Sequence, residues 1–274
     1  MKCIATAFIV SLFLLSCSNA QDNYTFIIGK GITEFPIEFR DMGPVGITDI
    51  TVYGDSVYTL ENSRIHILSL KGDTGRYVAI PLGKDEKAVA INVLSTDSIA
   101  VVISYSTRRS ASVLLLSLPV GKILNRIDYR RDAGSNDDQI VIEDNQSTAY
   151  INGKLYIPVT DTRNLDNDPT SFLVVDLSKK KYELLKQSEY FKKGYVKANT
   201  ITSFCDGTQL SIRITRDGYQ ARINDSDKNI SIDIKRNGEI LNIPFKLDCR
   251  YDKLWYWQIV NDRTVVISRL KLTE

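Results

Sequence analysis

Gly54-Asp55-Ser56-Val57-Tyr58 opens a strand out of a polar turn, and Leu68-Ser69-Leu70-Lys71-Gly72-Asp73 closes a later strand and turns again. Both phrases return along the chain. The opening turn recurs as Thr96-Asp97-Ser98 before Ile99, as Asn152-Gly153-Lys154 before Leu155-Tyr156, as Asp206-Gly207-Thr208 before Leu210, and as Asn261-Asp262-Arg263 before Val265-Val266. The apolar–polar–apolar triplet recurs as Leu116-Ser117-Leu118, Val175-Asp176-Leu177 and Ile232-Asp233-Ile234. A turn containing Gly or Lys follows each triplet. Between these landmarks lie short runs rich in Val, Ile, Tyr and Thr, which fit a pleated, half-buried surface.

Turn centres at 55, 97, 153, 207 and 262 and triplet ends at 70, 118, 177 and 234 keep one rhythm. A repeat of about 40–50 residues made of four short strands is the pattern of a β-propeller blade. The longer spacings call for insertions within blades, such as residues 161–170. The expected fold is therefore all-β, a propeller whose last unit is incomplete at the C-terminus. Residues 24–28 and 34–39 are strand-like and stand outside the repeats, so they are expected to complete that unit. This arithmetic gives five blades, with a six-bladed ring, a truncated ring and a β-sandwich as alternatives. The one helix candidate, residues 182–195, reads equally well as a strand leaving a turn.

The first residues read as an address. Met1-Lys2 precedes an apolar run over residues 3–15, which is of signal-peptide length and short for a membrane span. The run ends in Leu14-Leu15-Ser16-Cys17, which resembles the lipobox of bacterial lipoproteins. On that reading residues 1–16 are a signal peptide, Cys17 carries the lipid, 17–23 are a tether and 24–274 form the propeller. The rival address is ordinary secretion or a soluble periplasmic protein, with cleavage after Ala20. Cys205 and Cys249 then remain as an even pair in an oxidising compartment. A disulfide between them would stabilise by roughly 4 kcal/mol in the chain-entropy model; two separate buried thiols are the alternative.

The lipobox, the Asp-Ser-Val-Tyr and Asn-Gly-Lys-Leu-Tyr-Ile turns and Phe172-Leu173-Val174-Val175-Asp176-Leu177 resemble the TolB-like β-propeller lipoproteins of Bacteroidota. The resemblance covers most of the chain after residue 16. It implies an envelope lipoprotein and brings no catalytic residues with it. The expected location is the outer membrane, and the expected partners are the membrane, through the lipid on Cys17, and a protein or glycan.

Composition excludes several classes. With 35 Lys+Arg against 33 Asp+Glu in 274 residues, the net charge of +2 leaves no basic footprint for nucleic acid. The single histidine, His66, lies in an alternating strand and is expected to be a strand residue without a catalytic role; a multi-histidine zinc site is ruled out. No cofactor fingerprint or nucleophile elbow occurs. Four constellations remain. Asp161-Thr162-Arg163-Asn164-Leu165-Asp166-Asn167-Asp168-Pro169 offers oxygens for Ca²⁺ but lacks the glycine and closing Glu of an EF-hand, and reads better as a solvated loop. Arg130-Arg131-Asp132 through Asn136-Asp137-Asp138 could line a pocket at a ring's rim, though a solvated linker suits it better. Asp49, Glu143 and Asp206 are the candidates for the paired carboxylates of a five-bladed glycosidase. Trp255-Tyr256-Trp257 could stack on sugars, or more simply pack between blades. No metal and no cofactor is expected. The leading reading is a non-catalytic binding or scaffolding propeller, with the carbohydrate-active enzyme as the alternative.

Overall fold

The computed structural model describes residues 21–40, 43–105, 111–129, 140–142, 148–161, 170–186, 200–205, 208–214, 218–224, 229–235, 245–248, 253–261 and 263–271. Among them there is no helix. The described residues begin with β1 (Gln21–Ile27), followed by a small hairpin of β2 (Glu38–Arg40) and β3 (Gly43–Val45). A first antiparallel sheet follows, β4 (Asp49–Tyr53), β5 (Ser56–Glu61), β6 (Arg64–Ser69) and β7 (Gly75–Ala79), ordered as in sequence. The second is β8 (Glu86–Ser95), β9 (Ser98–Tyr105), β10 (Ala111–Ser117) and β11 (Ile123–Tyr129). In the third, β12 (Ile140–Ile142) and β13 (Ala149–Ile151) both pair with β14 (Lys154–Asp161), which leads to β15 (Thr170–Asp176) and β16 (Lys181–Lys186). The fourth is β17 (Thr200–Cys205), β18 (Thr208–Ile214), β19 (Gly218–Asn224) and β20 (Asn229–Lys235). The last combines β21 (Phe245–Asp248), β22 (Lys253–Asn261) and β23 (Thr264–Lys271) with β1, in the order β1-β23-β22-β21.

This is an all-β propeller. The first strands of successive sheets touch: β4 meets β8, β8 meets β13, β13 meets β17, β17 meets β21, and β21 meets β4. Each sheet sends alternate side chains to opposite faces, so one strand feeds two cores. Val57 and Leu68 pack toward the last sheet with Trp255, Trp257 and Ile267. Tyr58, Leu60 and Ile65, one residue out of step, pack toward the second sheet with Ile91, Val101 and Leu114. The opposite face of that sheet, through Ala100, Val102 and Val113, meets Leu155, Ile157 and Leu173 of the third. Burial on both faces explains why these strands read as nearly continuous apolar runs. The helix alternative falls here, because Lys181–Lys186 is the strand β16; residues 187–199 lie outside the described residues.

Local turn chemistry supports the hairpins. Asn152 and Gly153 have φ of 48° and 80°. Positive φ at both central residues matches the turn twist to that of the strands, which is why Asn-Gly is favoured there.

Three details depart from the sequence expectations. The last opening turn, at residues 261–263, connects β22 to β23, one hairpin later than its counterparts between the first two strands of earlier sheets. The triplet Ile232-Asp233-Ile234 lies on β20, the fourth strand of its sheet, whereas the other triplets finish a third strand. Only the first N-terminal segment completes the last blade: β1 pairs with β23 over seven residues, from Gln21↔Leu270 to Ile27↔Thr264. Residues 34–39 instead turn back, with Phe35 bridging Ile28, and drive Phe35 and Ile37 into the core between the last sheet and the first. Their apolar residues fill the wedge-shaped space between two blades, where a strand at the sheet edge would not reach. Pairing begins at Gln21, inside the stretch expected to be tether.

Behind this wedge the chain passes very close to β7. A Cβ on Gly75 would lie 1.8 Å from the carbonyl oxygen of Ile32. Gly75→Ala is expected to lower the urea midpoint of unfolding by the equivalent of about 1–3 kcal/mol, as overpacking does. An unchanged midpoint would show that the segment around Ile32 can move away freely.

Candidate functional site

Two buried polar arrangements stand out against the apolar cores. The first lies on the innermost strands. Asp49, 3% exposed, opens β4; its carboxylate accepts the N–H of Ile50 at 2.8 Å and, from the next sheet, the N–H of Ile91 on β8 at 2.8 Å. One sheet further on, Asn92 Nδ2 donates to Thr148 Oγ1 at 2.6 Å. Asp49 and Ile91 stand equally far before their turns at Gly54 and Thr96, and Asn92 and Thr148 equally far before Thr96 and Asn152. The innermost strands are thus aligned in height and joined sideways by side chains, where parallel neighbours belong to different sheets and share no ladder. A buried carboxylate is tolerated because donors surround it.

The second lies on the first sheet. Asn62, with φ of 39°, turns the hairpin and sets Glu61 opposite Arg64 and Thr59 opposite His66; Tyr77 is the partner of His66 on β7. Arg64 grips Glu61 Oε2 through Nε at 2.9 Å and Nη2 at 2.7 Å, and its guanidinium lies 4.2 Å over the Tyr77 ring. The His66 ring stacks on Tyr77 at 4.1 Å between centroids. His66 is fully buried, and its Nε2–H donates to the carbonyl of Ile32 at 2.7 Å. That bond fixes the tautomer: in the neutral ring Nδ1 keeps its lone pair. Nδ1 stands 3.7 Å from Glu61 Oε1, and neither atom has a hydrogen-bond partner. A single proton on either group turns this facing pair of acceptors into an attractive contact. Burial pushes the Glu61 carboxyl above the usual range, opposed by its hydrogen bond and charge contact with Arg64. Burial pushes His66 below the usual range, opposed by its bond to Ile32.

A third cluster ties the second sheet from first strand to last. Arg126 on β11 donates to Glu86 on β8 at 2.6 Å and to Asp128 at 2.7 Å, and also bonds the Tyr105 hydroxyl. The Arg126 hydrogen bond, followed by that from the Gly83 N–H, holds the Glu86 carboxyl below its ordinary range.

Of the residues singled out from the sequence, Asp49 lies on the inner strand and joins two sheets. Glu143, Asp206, Cys17 and Cys249 lie outside the described residues, as do the stretches 130–138 and 162–169. Cys205 is the last residue of β17, and Asp161 the last of β14. Trp255 and Trp257 are 3% and 1% exposed and pack between the last sheet and the first, while Tyr256 takes the other face. His66 is a strand residue, as expected, and its partners Glu61, Arg64 and Tyr77 were missed. The signal was present: a two-residue turn at Asn62-Ser63 pairs 61 with 64 and 59 with 66, which sets four polar side chains across one hairpin. Among the described residues no group of three His, Cys, Asp or Glu side chains is placed to hold a metal ion.

No protein-family profile and no curated protein matches the sequence. Solved structures give distant likenesses. A luciferin-regenerating enzyme aligns at 12% identity and TM-score 0.38, over 81% of this chain and 76% of its own. The Pan2 WD40 domain of Neurospora crassa aligns at 11% and 0.36, over 85% and 78%. The Dos1 propeller aligns at 12% and 0.35, over 87% and 62%. The strand order, and not these likenesses, establishes the architecture.

Two variants test the polar groups. Asp49→Asn replaces one amide acceptor by a donor and is expected to cost about 1–3 kcal/mol in urea unfolding. For His66 the sign follows from its lowered value: its contribution is present above the ordinary histidine range and is lost as pH falls through the folded value. Glu61, raised, acts oppositely, its contribution fading as pH rises through its folded value. The two slopes therefore oppose each other in the wild type, and His66→Gln is expected to lose the part of the stability that falls as pH drops below the ordinary histidine range, leaving the opposite slope of Glu61. An identical pH dependence of urea unfolding in both proteins would assign it to other groups.

Proposed function

We propose that this chain is a lipid-anchored protein of the bacterial cell envelope, held in the outer membrane through Cys17, whose five-bladed ring binds or scaffolds a protein or glycan partner without catalysis. Membership of the TolB-like lipoproteins belongs to the same reading. The observation that carries its binding half is the role of the inner polar side chains. Asp49 and the Asn92–Thr148 pair join strand to strand, which suits a rigid ring that presents partners with its loops. The address rests on the apolar run and on Leu14-Leu15-Ser16-Cys17.

The expected result is that Cys17→Ser moves the exported protein from the membrane pellet to the soluble fraction. A variant that still sediments with membranes would overturn the anchor. Glycoside turnover by the wild type that Asp49→Asn abolishes, at a temperature where the variant is folded, would overturn the non-catalytic reading in favour of a glycosidase using Asp49 with Glu143 or Asp206.

The Cys205–Cys249 disulfide is part of this proposal. β17 and β21 are neighbours, Cys205 ends β17, and Cys249 follows the last residue of β21 in sequence. Peptide mapping without reductant is expected to recover the two cysteines joined. Free thiols in the exported protein would remove the bridge.

A further inference from the structure

Resting on the anchor at Cys17, we propose that the ring is oriented: the end bearing the turns at Gly54, Gly72, Thr96 and Asn152 lies against a phospholipid leaflet, and the opposite end faces the aqueous space and the partner. The placement of β1 carries the argument. Gln21 pairs with Leu270, next to the level at which Lys253 pairs with Lys271. That is the end of the sheet where β22 begins, which corresponds to the first-hairpin turns of the other sheets. The aligned heights of the inner strands put all these turns at one end of the ring.

Between Cys17 and Gln21 the sequence has only Ser18, Asn19 and Ala20. Fully extended, the link from Cys17 to Gln21 spans at most about 14 Å. A strand the length of β23, Thr264–Lys271, is about 26 Å long. With the ring standing upright on that link, the far end, with Asn62, Ser63, Lys84 and Arg263, is too distant to reach the lipid surface, and the near end is held within about 14 Å of it. The near end also suits an interface. Val120, at the tip of the turn after β10, is 75% exposed, and Lys71, Lys122, Lys179 and Lys180 are exposed where headgroup phosphates would lie. Asp55, Asp73 and Asp97 are exposed at the same end, so the tether and not net charge sets the orientation.

Lysine acetylation read by mass spectrometry tests this without altering the ring. The mature protein is reconstituted on vesicles of phosphatidylethanolamine and phosphatidylglycerol and compared with the soluble Cys17→Ser protein. Lys71, Lys122, Lys179 and Lys180 are expected to react several-fold more slowly on vesicles, with Lys84 and Lys87 unchanged. A long Gly/Ser insertion after Ala20 should abolish the difference. Slowing of Lys84 and Lys87 instead, or equal rates at both ends on vesicle-bound acylated protein, would overturn the orientation. An intact mass lacking acyl chains would overturn the anchor reading itself.

Discussion

The pairing of β1 with β23 is the contact on which the rest of the ring depends. It joins residues at the two extremes of the chain, Gln21 with Leu270 through Ile27 with Thr264. Until it forms, the last sheet has three strands and an open edge, and the core around Trp255 and Trp257 lacks Phe26. Every other ladder among the described residues is local, between strands that follow one another or, for β12 and β14, stand one apart. The closing pairing alone requires a loop of the whole chain, whose entropy cost rises only with the logarithm of its length. Burial of apolar surface at the seam between the last sheet and the first offsets that cost. A fold of local hairpins closed by one distant pairing is expected to form its sheets before it seals.

The seam is reinforced where the chain leaves β1. The Ile28 N–H donates to the Arg263 carbonyl, and Phe35 N–H to that of Ile27. Glu34 wraps back onto the Gly31 N–H. Phe35 and Ile37 then fill the wedge between sheets, and His66 reaches across to the carbonyl of Ile32. A buried histidine is a costly choice for a core position unless its nitrogens are satisfied. Here one nitrogen satisfies a carbonyl in an irregular segment that has no ladder to join. The cluster of Glu61, Arg64, His66 and Tyr77 thus reads as the polar side of the closure.

The architecture was legible because blade grammar is local. Turn residues and alternation mark hairpins wherever they fall, and Asn152-Gly153 or Thr96-Asp97 point to the same hairpin in sequence and structure. The phase of the repeat was less legible. A hairpin between the second and third strands uses the same residue types as one between the first and second, so Asn261 was placed one hairpin early and Ile232-Asp233-Ile234 one strand early. The wedge was not legible at all, since Phe35 and Ile37 alternate like strand residues and only the neighbouring sheets decide that they fill a gap. Asp49 is in the sequence a candidate for one of a pair of carboxylates, but its partners are the backbone amides of Ile50 and Ile91, and a backbone amide carries no sequence signal. Asn92 and Thr148 escaped for the related reason that a bond between sheets joins residues far apart in sequence.

The closing strand also explains how such a ring could tolerate a membrane tether. With Cys17 lipidated as proposed, any pull between membrane and body enters through Gln21 and runs along β1. A pull directed along the axis of β1 shears its ladder with β23 and loads the hydrogen bonds of the seven residue pairs together. Behind them the load reaches the Phe35–Ile37 wedge and the His66–Ile32 bond, which hold the far end of β1 against the first sheet. The residues that close the ring are then the ones that bear the tether, and a short link from Cys17 to Gln21 is compatible with a stable propeller only because the first strand is locked at both ends.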